Sequence, residues 1–169
     1  ISKIEAGKME LHLEDFKLKD MISLIEATTK PLLDKNSNKF VVKIDESIET
    51  MKNDETKLKQ VLLNMISNSS KFTKEGKVSL IISEEAKNRI KFEISDTGIG
   101  MTENQLKNVF EEFTQAETST SKDYGGTGLG LPICKKLTEL MGGKIEVQSK
   151  IGEGTTFSIT VPKTIEVKS

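Results

Sequence analysis

One helix sets most of what this chain can fold into. Residues 54–72 place Leu58, Val61, Leu62, Met65 and Ile66 at steps of three and four, so one stripe of a helix must be covered by other elements. Asn64, Asn68 and Lys71 recur at i, i+4 and i+7 and share a different face. Asp54 stands where an N-cap belongs. Taken alone, such a polar stripe is also what a solvated helix face looks like. Its chemistry is more particular than that. Asparagine carbonyls are hard oxygen donors suited to Mg²⁺, which keeps waters and shares phosphate oxygens, and lysine supplies a point charge for phosphate.

The rest of the pattern alternates helices and strands. Residues 1–7 carry helical residues ending in a glycine that could cap a helix. Residues 9–16 alternate apolar and polar as one half-buried strand. Residues 16–35 show a helical face at Leu18, Met21, Ile22, Ile25 and Leu32, with Pro31 expected to kink or end it. Short strands are expected at 40–44, 77–83 and 89–95, the last two joined through Lys87 and Asn88. A short helix over 103–110 leads into a polar stretch, 111–124, without periodicity. A helix over 129–141 ends at Gly142 and Gly143, and 144–148 with 155–161 read as a closing hairpin.

Four further motifs carry chemistry. Asp96-Thr97-Gly98-Ile99-Gly100-Met101 follows a strand, and a carboxylate at a strand end can accept a hydrogen bond from an exocyclic amine. Such a site rejects a base that lacks the donor, because the buried charge is then unpaired. Gly98 and Gly100 are expected to allow close backbone approach and positive φ. An ordinary Asp-Thr-Gly turn would look the same, as would one half of an aspartic protease pair, although no second such aspartate exists here. Gly125-Gly126-Thr127-Gly128-Leu129-Gly130-Leu131 opens a helix with Pro132 in its first turn. Free backbone N–H groups at a helix start suit a phosphate chain, though a glycine hinge is the plainer reading. Phe110-x-x-Phe113 flanks the polar stretch, and Gly152-Glu153-Gly154-Thr155 enters the last strand as a turn.

In this order and spacing the stretches resemble the asparagine, glycine and phenylalanine boxes of the catalytic ATP-binding domain of sensor histidine kinases. The resemblance covers residues 9–163. It implies the two-layer α/β sandwich of the GHKL ATPases, a mixed, mostly antiparallel sheet with helices on one face. It implies ATP and Mg²⁺, with Asn68 the main metal ligand and Asn64 supporting it, and with Asn68 and Lys71 in the catalytic role. The nucleotide site it implies comprises Asn64, Asn68, Lys71, Asp96, Gly98, Ile99, Gly100, Met101, Lys122, Tyr124, Gly126, Thr127, Gly128, Leu129, Gly130, Leu131 and Thr155. Thr155 is expected to support the aspartate that reads adenine, and residues 111–124 to form a lid. Two positions depart from the pattern. Ser69 stands where the family often has alanine, and Lys122, followed by Asp123, where related hybrid kinases carry arginine, which loses bidentate geometry toward phosphate.

The resemblance also sets expectations about partners. Residues 1–8 look like the close of a dimerisation-domain helix, and 164–169 like a tail or linker. The phosphoryl group would pass to a histidine on that separate dimerisation domain, and from there to a response-regulator receiver domain. His12, the only histidine, lies on an expected strand and not in a helical acceptor context. The chain is read as a fragment of a longer hybrid-type kinase, monomeric by itself, in the cytoplasm, with a parent that could be membrane-anchored. A pseudokinase that only senses nucleotide, or another GHKL ATPase such as an anti-sigma serine kinase, are the alternatives. A formal net charge of −1 and a single arginine, Arg89, argue against a nucleic-acid partner. One cysteine, Cys134, allows no internal disulfide and reads as a buried small hydrophobe. No apolar run reaches about 18 residues, so no segment reads as a membrane span.

Overall fold

A computed structural model describes residues 2–4, 9–108 and 130–165, with side chains for 11–107 and 131–165. Strands β1 (Ser2–Ile4) and β2 (Met9–Leu11) form an antiparallel pair, as do β3 (Glu14–Lys17) and β5 (Thr50–Asn53). The main sheet has five strands in the order β4 (Lys39–Ile44), β6 (Lys77–Ala86), β7 (Arg89–Asp96), β9 (Gly154–Pro162) and β8 (Lys144–Lys150). Only β4 and β6 run parallel; the other neighbours are antiparallel. Helices α1 (Leu18–Lys35), α2 (Glu55–Lys71), α3 (Glu103–Asn108) and α4 (Gly130–Leu140) complete the described elements. This is the expected α/β sandwich.

Alternation explains why one sheet face is covered. On β7, Ile90, Phe92 and Ile94 are buried, while Lys91, Glu93 and Ser95 lie on the other side and are only half-buried. Helix α2 packs between α1 and α4 over the buried face, with Leu58, Val61, Leu62, Met65 and Ile66 all fully buried. Burial of each such side chain stabilises the fold by about 1.5–3 kcal/mol before entropy is counted. Gly142 ends the α4 stretch at φ 82°, with Gly143 N–H donating to Thr138 O at 2.9 Å.

Several expectations differ from what is observed. Ser2–Ile4 is extended, not helical. In so short a stretch, pairing with β2 satisfies backbone groups that one helical turn leaves open. The expected strand over 9–16 is broken at 12–13, where His12 N–H turns to donate to Asp54 Oδ2 at 2.9 Å. Pro31 neither ends nor replaces a turn of α1, which continues to Lys35 because Leu33, 2% exposed, is anchored in the core. Leu33 and Thr29 take the buried positions, and Leu32 is 40% exposed. Strand β5 had no signal of its own, since Thr50–Asn53 is held by pairing with β3 rather than by apolar alternation.

Asp54 caps α2 as expected, accepting from Lys57 N at 3.0 Å, with the Lys57 ammonium 3.0 Å from Oδ2. Burial pushes its carboxyl up, but the N–H groups of His12 and Lys57 and the Lys57 ammonium outweigh this and hold it below the ordinary carboxylate range. A depressed pKa gives stability that is present above the unfolded value and lost as pH falls through the folded one. Asp54→Ala is expected to cost about 1–2 kcal/mol, or about 2–8 °C in Tm for a domain of this size. Thermal melts at neutral and acid pH check this, and the gap from wild type should close as the carboxyl protonates.

Candidate functional site

The site grows from where two strands end. Register pairs Asp96, last in β7, with Thr155, second in β9. Asp96 is 8% exposed, and its Oδ1 accepts from Gly98 N at 2.9 Å and from Thr155 N at 3.2 Å. Burial is the main influence on this carboxyl and pushes it above the ordinary range; the bonds from Gly98 and Thr155 offset part of that. Thr155 therefore supports Asp96 through its backbone, while its hydroxyl shares a 2.7 Å hydrogen bond with Ser149 Oγ.

The loop after Asp96 lies against the end of α2. Ile99 N–H donates to Phe72 O at 3.2 Å, and Gly152 N–H donates to Ile99 O at 2.8 Å. Met101 N–H donates to Ser149 Oγ at 2.8 Å, which ties the loop to β8. Of the two glycines expected at positive φ, only Gly100 is there, at 72°. Gly98 is required for a different reason: a Cβ at that position would sit 2.1 Å from Phe72 O.

The end of α2 is itself gripped. Asn36 Nδ2 donates to Ser70 O at 2.8 Å, Asn38 Nδ2 donates to Thr73 O at 2.8 Å, and Ser70 Oγ donates to Leu32 O at 2.9 Å. These bonds satisfy carbonyls that a helix end leaves open and fix α2 relative to Asp96. Asn64, Asn68 and Lys71 are half-buried along α2. Asn64 Nδ2 lies 3.6 Å from Cys134 Sγ on α4, so α4 backs this stripe. Cys134 is buried, as expected, and burial pushes its thiol up to about 11. Leu131 packs against the core, and Gly130 opens α4. Lys122, Tyr124, Gly126, Thr127, Gly128 and Leu129, with Phe110 and Phe113, lie outside the described residues.

Sequence reasoning named Ser69 only as a departure from the family pattern and gave Thr73 no role. Both are 1% exposed, and their hydroxyls face the Asp96 carboxyl and help to hold its pKa down against burial. A signal existed for Ser69: it continues the stripe of Leu62, Met65 and Ile66, where an apolar residue belongs. Asn36 and Asn38 had none, because their partners lie more than 30 residues away in sequence.

The buried Asp96 carboxylate thus stands at a sheet end beside the C-terminal end of α2, on a GHKL-type sandwich. The chain belongs to the histidine kinase-, DNA gyrase B- and HSP90-like ATPase family, whose model matches residues 53–165. It is 40% identical over 167 residues to hybrid signal transduction histidine kinase B of Dictyostelium discoideum, covering 95% of this chain and 8% of that protein. Its fold matches the crystal structure of full-length ShkA in complex with AMPPNP at a TM-score of 0.81 and 28% identity, covering 95% of this chain and 33% of that one. The catalytic domain of histidine kinase ThkA matches at a TM-score of 0.77 and 26% identity, over 90% of this chain and 97% of that one. The chain thus corresponds to the ATP-binding catalytic domain of histidine kinases, and it spans only a small part of the curated relative's length. Among the described residues no helix is long and apolar enough to cross a membrane.

Proposed function

We propose that this chain binds ATP with Asp96 accepting the exocyclic amine of adenine, and supplies the γ-phosphoryl group to a histidine on a dimerisation domain elsewhere in the parent protein. A response-regulator receiver domain would take it next. The observation that carries the reading is Asp96: a carboxylate 8% exposed, with Oδ1 occupied by two backbone donors and, among the described residues, no cation bonded to it. Such a group is held at a loss unless a ligand donor completes it. Gly98, Ile99, Gly100, Met101 and Thr155 shape the base side. Lys71 faces the phosphates as a point charge, and residues 122–131 would cover them.

Mg²⁺ fits the donor set. Among the described residues no group of three or more His, Cys, Asp or Glu side chains could hold a metal. Asn68, with Asn64 behind it, offers amide oxygens, so the remaining ligands would be phosphate oxygens and water. The metal would neutralise charge on the phosphates; the chain's own part is to position them. Residues 9–163 would form the catalytic domain, with 1–8 joining it to the dimerisation helices and 164–169 leading out. Cytoplasmic placement of this domain follows from the ATP it uses.

Titration calorimetry of a non-hydrolysable ATP analogue, with and without Mg²⁺, tests the binding, and phosphotransfer to a purified histidine-bearing domain tests the chemistry. No binding by the wild type would overturn the reading. Asn68→Ala is expected to leave metal-free nucleotide affinity within about twofold. It should remove the increment due to Mg²⁺ and slow phosphotransfer at least about 100-fold, the scale for losing one preorganised electrostatic contact.

A further inference from the structure

Strand β4 ends the five-stranded sheet, and among the described residues no segment pairs with its outer edge. Lys39 N–H donates to Gly76 O and Asp45 N–H donates to Ile82 O, both at 2.9 Å, so the odd-numbered residues from 39 to 45 bond toward β6. Phe40, Val42 and Ile44 therefore turn their N–H and C=O groups to the open edge. Their side chains are only partly buried against the core. The other face of the strand carries Lys39, Val41 and Lys43, followed by Asp45. Lys39 stands beside Lys77 in the β4–β6 register, a like-charge pairing that costs stability unless an acid relieves it. Asp45 is exposed, with its Oδ1 accepting from the Ser47 N–H at 3.0 Å and from the Ser47 hydroxyl at 2.8 Å.

We propose that the β4 edge is a self-complementary interaction surface whose partner is a second copy of this chain, the two β4 strands pairing antiparallel about a two-fold axis through Val42. This does not rest on the reading of Asp96. Two conditions set the register. Direct partners must lie on the same face, and the groups that bond must be those of Phe40, Val42 and Ile44. Placing Val42 opposite Val42 meets both. Phe40 then exchanges bonds with the second copy's Ile44 on the helix-covered face, Val41 lies beside Lys43 on the other face, and Lys39 opposes Asp45 at both ends. The neighbouring registers that keep the faces fail on charge, since they set Lys39 against Lys43 or Lys43 against itself. The chosen register leaves the two Lys43 residues on a diagonal, about 7–8 Å apart. Six residues of strand are also a small patch beside the about 1,600 Å² of a standard interface. Pairing of the free chain is therefore weak, a departure from the strict monomer that the sequence implies, and it grows where two copies are held at high effective concentration.

The test is sedimentation equilibrium over a series from about 10 μM to about 1 mM protein, the range of a weak interface. Wild type is expected to show a monomer–dimer equilibrium. Lys39→Glu sets an acid against Asp45, and Asp45→Lys sets a base against Lys39. Each acts at two symmetry-related pairs and is expected to weaken association at least about fivefold. Mixing the two variants in equal amounts is expected to restore association, because each supplies the charge that the other lacks at both ends of the pair. Val42→Pro keeps the bonds to β6, since position 42 turns its N–H outward, and is expected to leave only monomer. Thermal melts check that each variant is folded. Should loss of the Ser47 bonds unfold Asp45→Lys, then Lys39→Glu and Val42→Pro decide the matter. Monomer throughout the wild-type series overturns the proposal and leaves Lys39 and Lys43 as guards of an edge strand. A dimer that survives Val42→Pro overturns it by placing the contact elsewhere. Folded charge variants that do not recover on mixing overturn it by removing the register.

Discussion

Asp96→Asn is expected to lose at least about 100-fold in nucleotide affinity while the protein melts no lower than wild type. The two effects have separate causes. Gly98 N–H and Thr155 N–H both point at Oδ1, so asparagine must place its carbonyl there. Its Nδ2 then takes the position of Oδ2 and faces the adenine amine, donor against donor. A hydrogen bond to a charged group is lost and a buried donor left unpaired, which together exceed about 2.7 kcal/mol, or two decades in affinity. Stability moves the other way. Burial raises the Asp96 pKa, so its unfolded-state value is the lower one. Below both values the carboxyl is neutral in either state and costs nothing. As pH rises from the unfolded value to the folded one, the unfolded chain ionises first and stability falls. Above the folded value that loss is complete, and asparagine does not suffer it. Calorimetric titration and thermal melts of the same preparations check both halves. Binding within tenfold of wild type, or a clear fall in Tm, would sink the argument. Nucleotide affinity of the wild type should also weaken as pH drops through the raised pKa of this carboxyl.

Gly154→Ala is expected to destabilise the fold by about 2–5 kcal/mol, the sum of a left-handed backbone penalty and of overpacking against fixed atoms. Gly154 has φ 93°, and a Cβ there would lie 2.0 Å from Asp96 O, a backbone atom of the paired strand. β9 would have to move away from β7 at the point where Thr155 supports Asp96, so nucleotide binding should go with the stability. The matched control is two residues upstream. Gly152 also has positive φ, 82°, but a Cβ there meets nothing within 4 Å. Gly152→Ala should cost only the backbone term, about 1–2 kcal/mol. Melting both variants separates the two contributions, about 4–20 °C against about 2–8 °C. Equal losses would mean that strand separation is not what Gly154 prevents.

Local rules made much of the fold legible. Helix α2 was readable because its apolar and amide stripes obey one period, and its cap because Asp54 sits one residue before Glu55. β6, β7 and β9 were readable because alternation shows which face is covered. β5 was not, since only its partner β3 makes it a strand. Nor was the buried end of α1, because Leu33 rather than Leu32 meets the core only once α2 is in place.

The sequence by itself determined which chemistry is available: amides and an ammonium on one helix face, a carboxylate at a strand end, and glycines between them. These follow from residue type and short-range period. Only the tertiary structure decided what each is for. Gly152 and Gly154 are indistinguishable in a string of letters, yet one faces open space and the other the backbone of β7. Ser69 is one small residue among many on α2 until packing brings its buried hydroxyl to Asp96. The physical reason is the same in both cases. Close contact and polar satisfaction are set by atoms that are distant along the chain, and no local pattern encodes them.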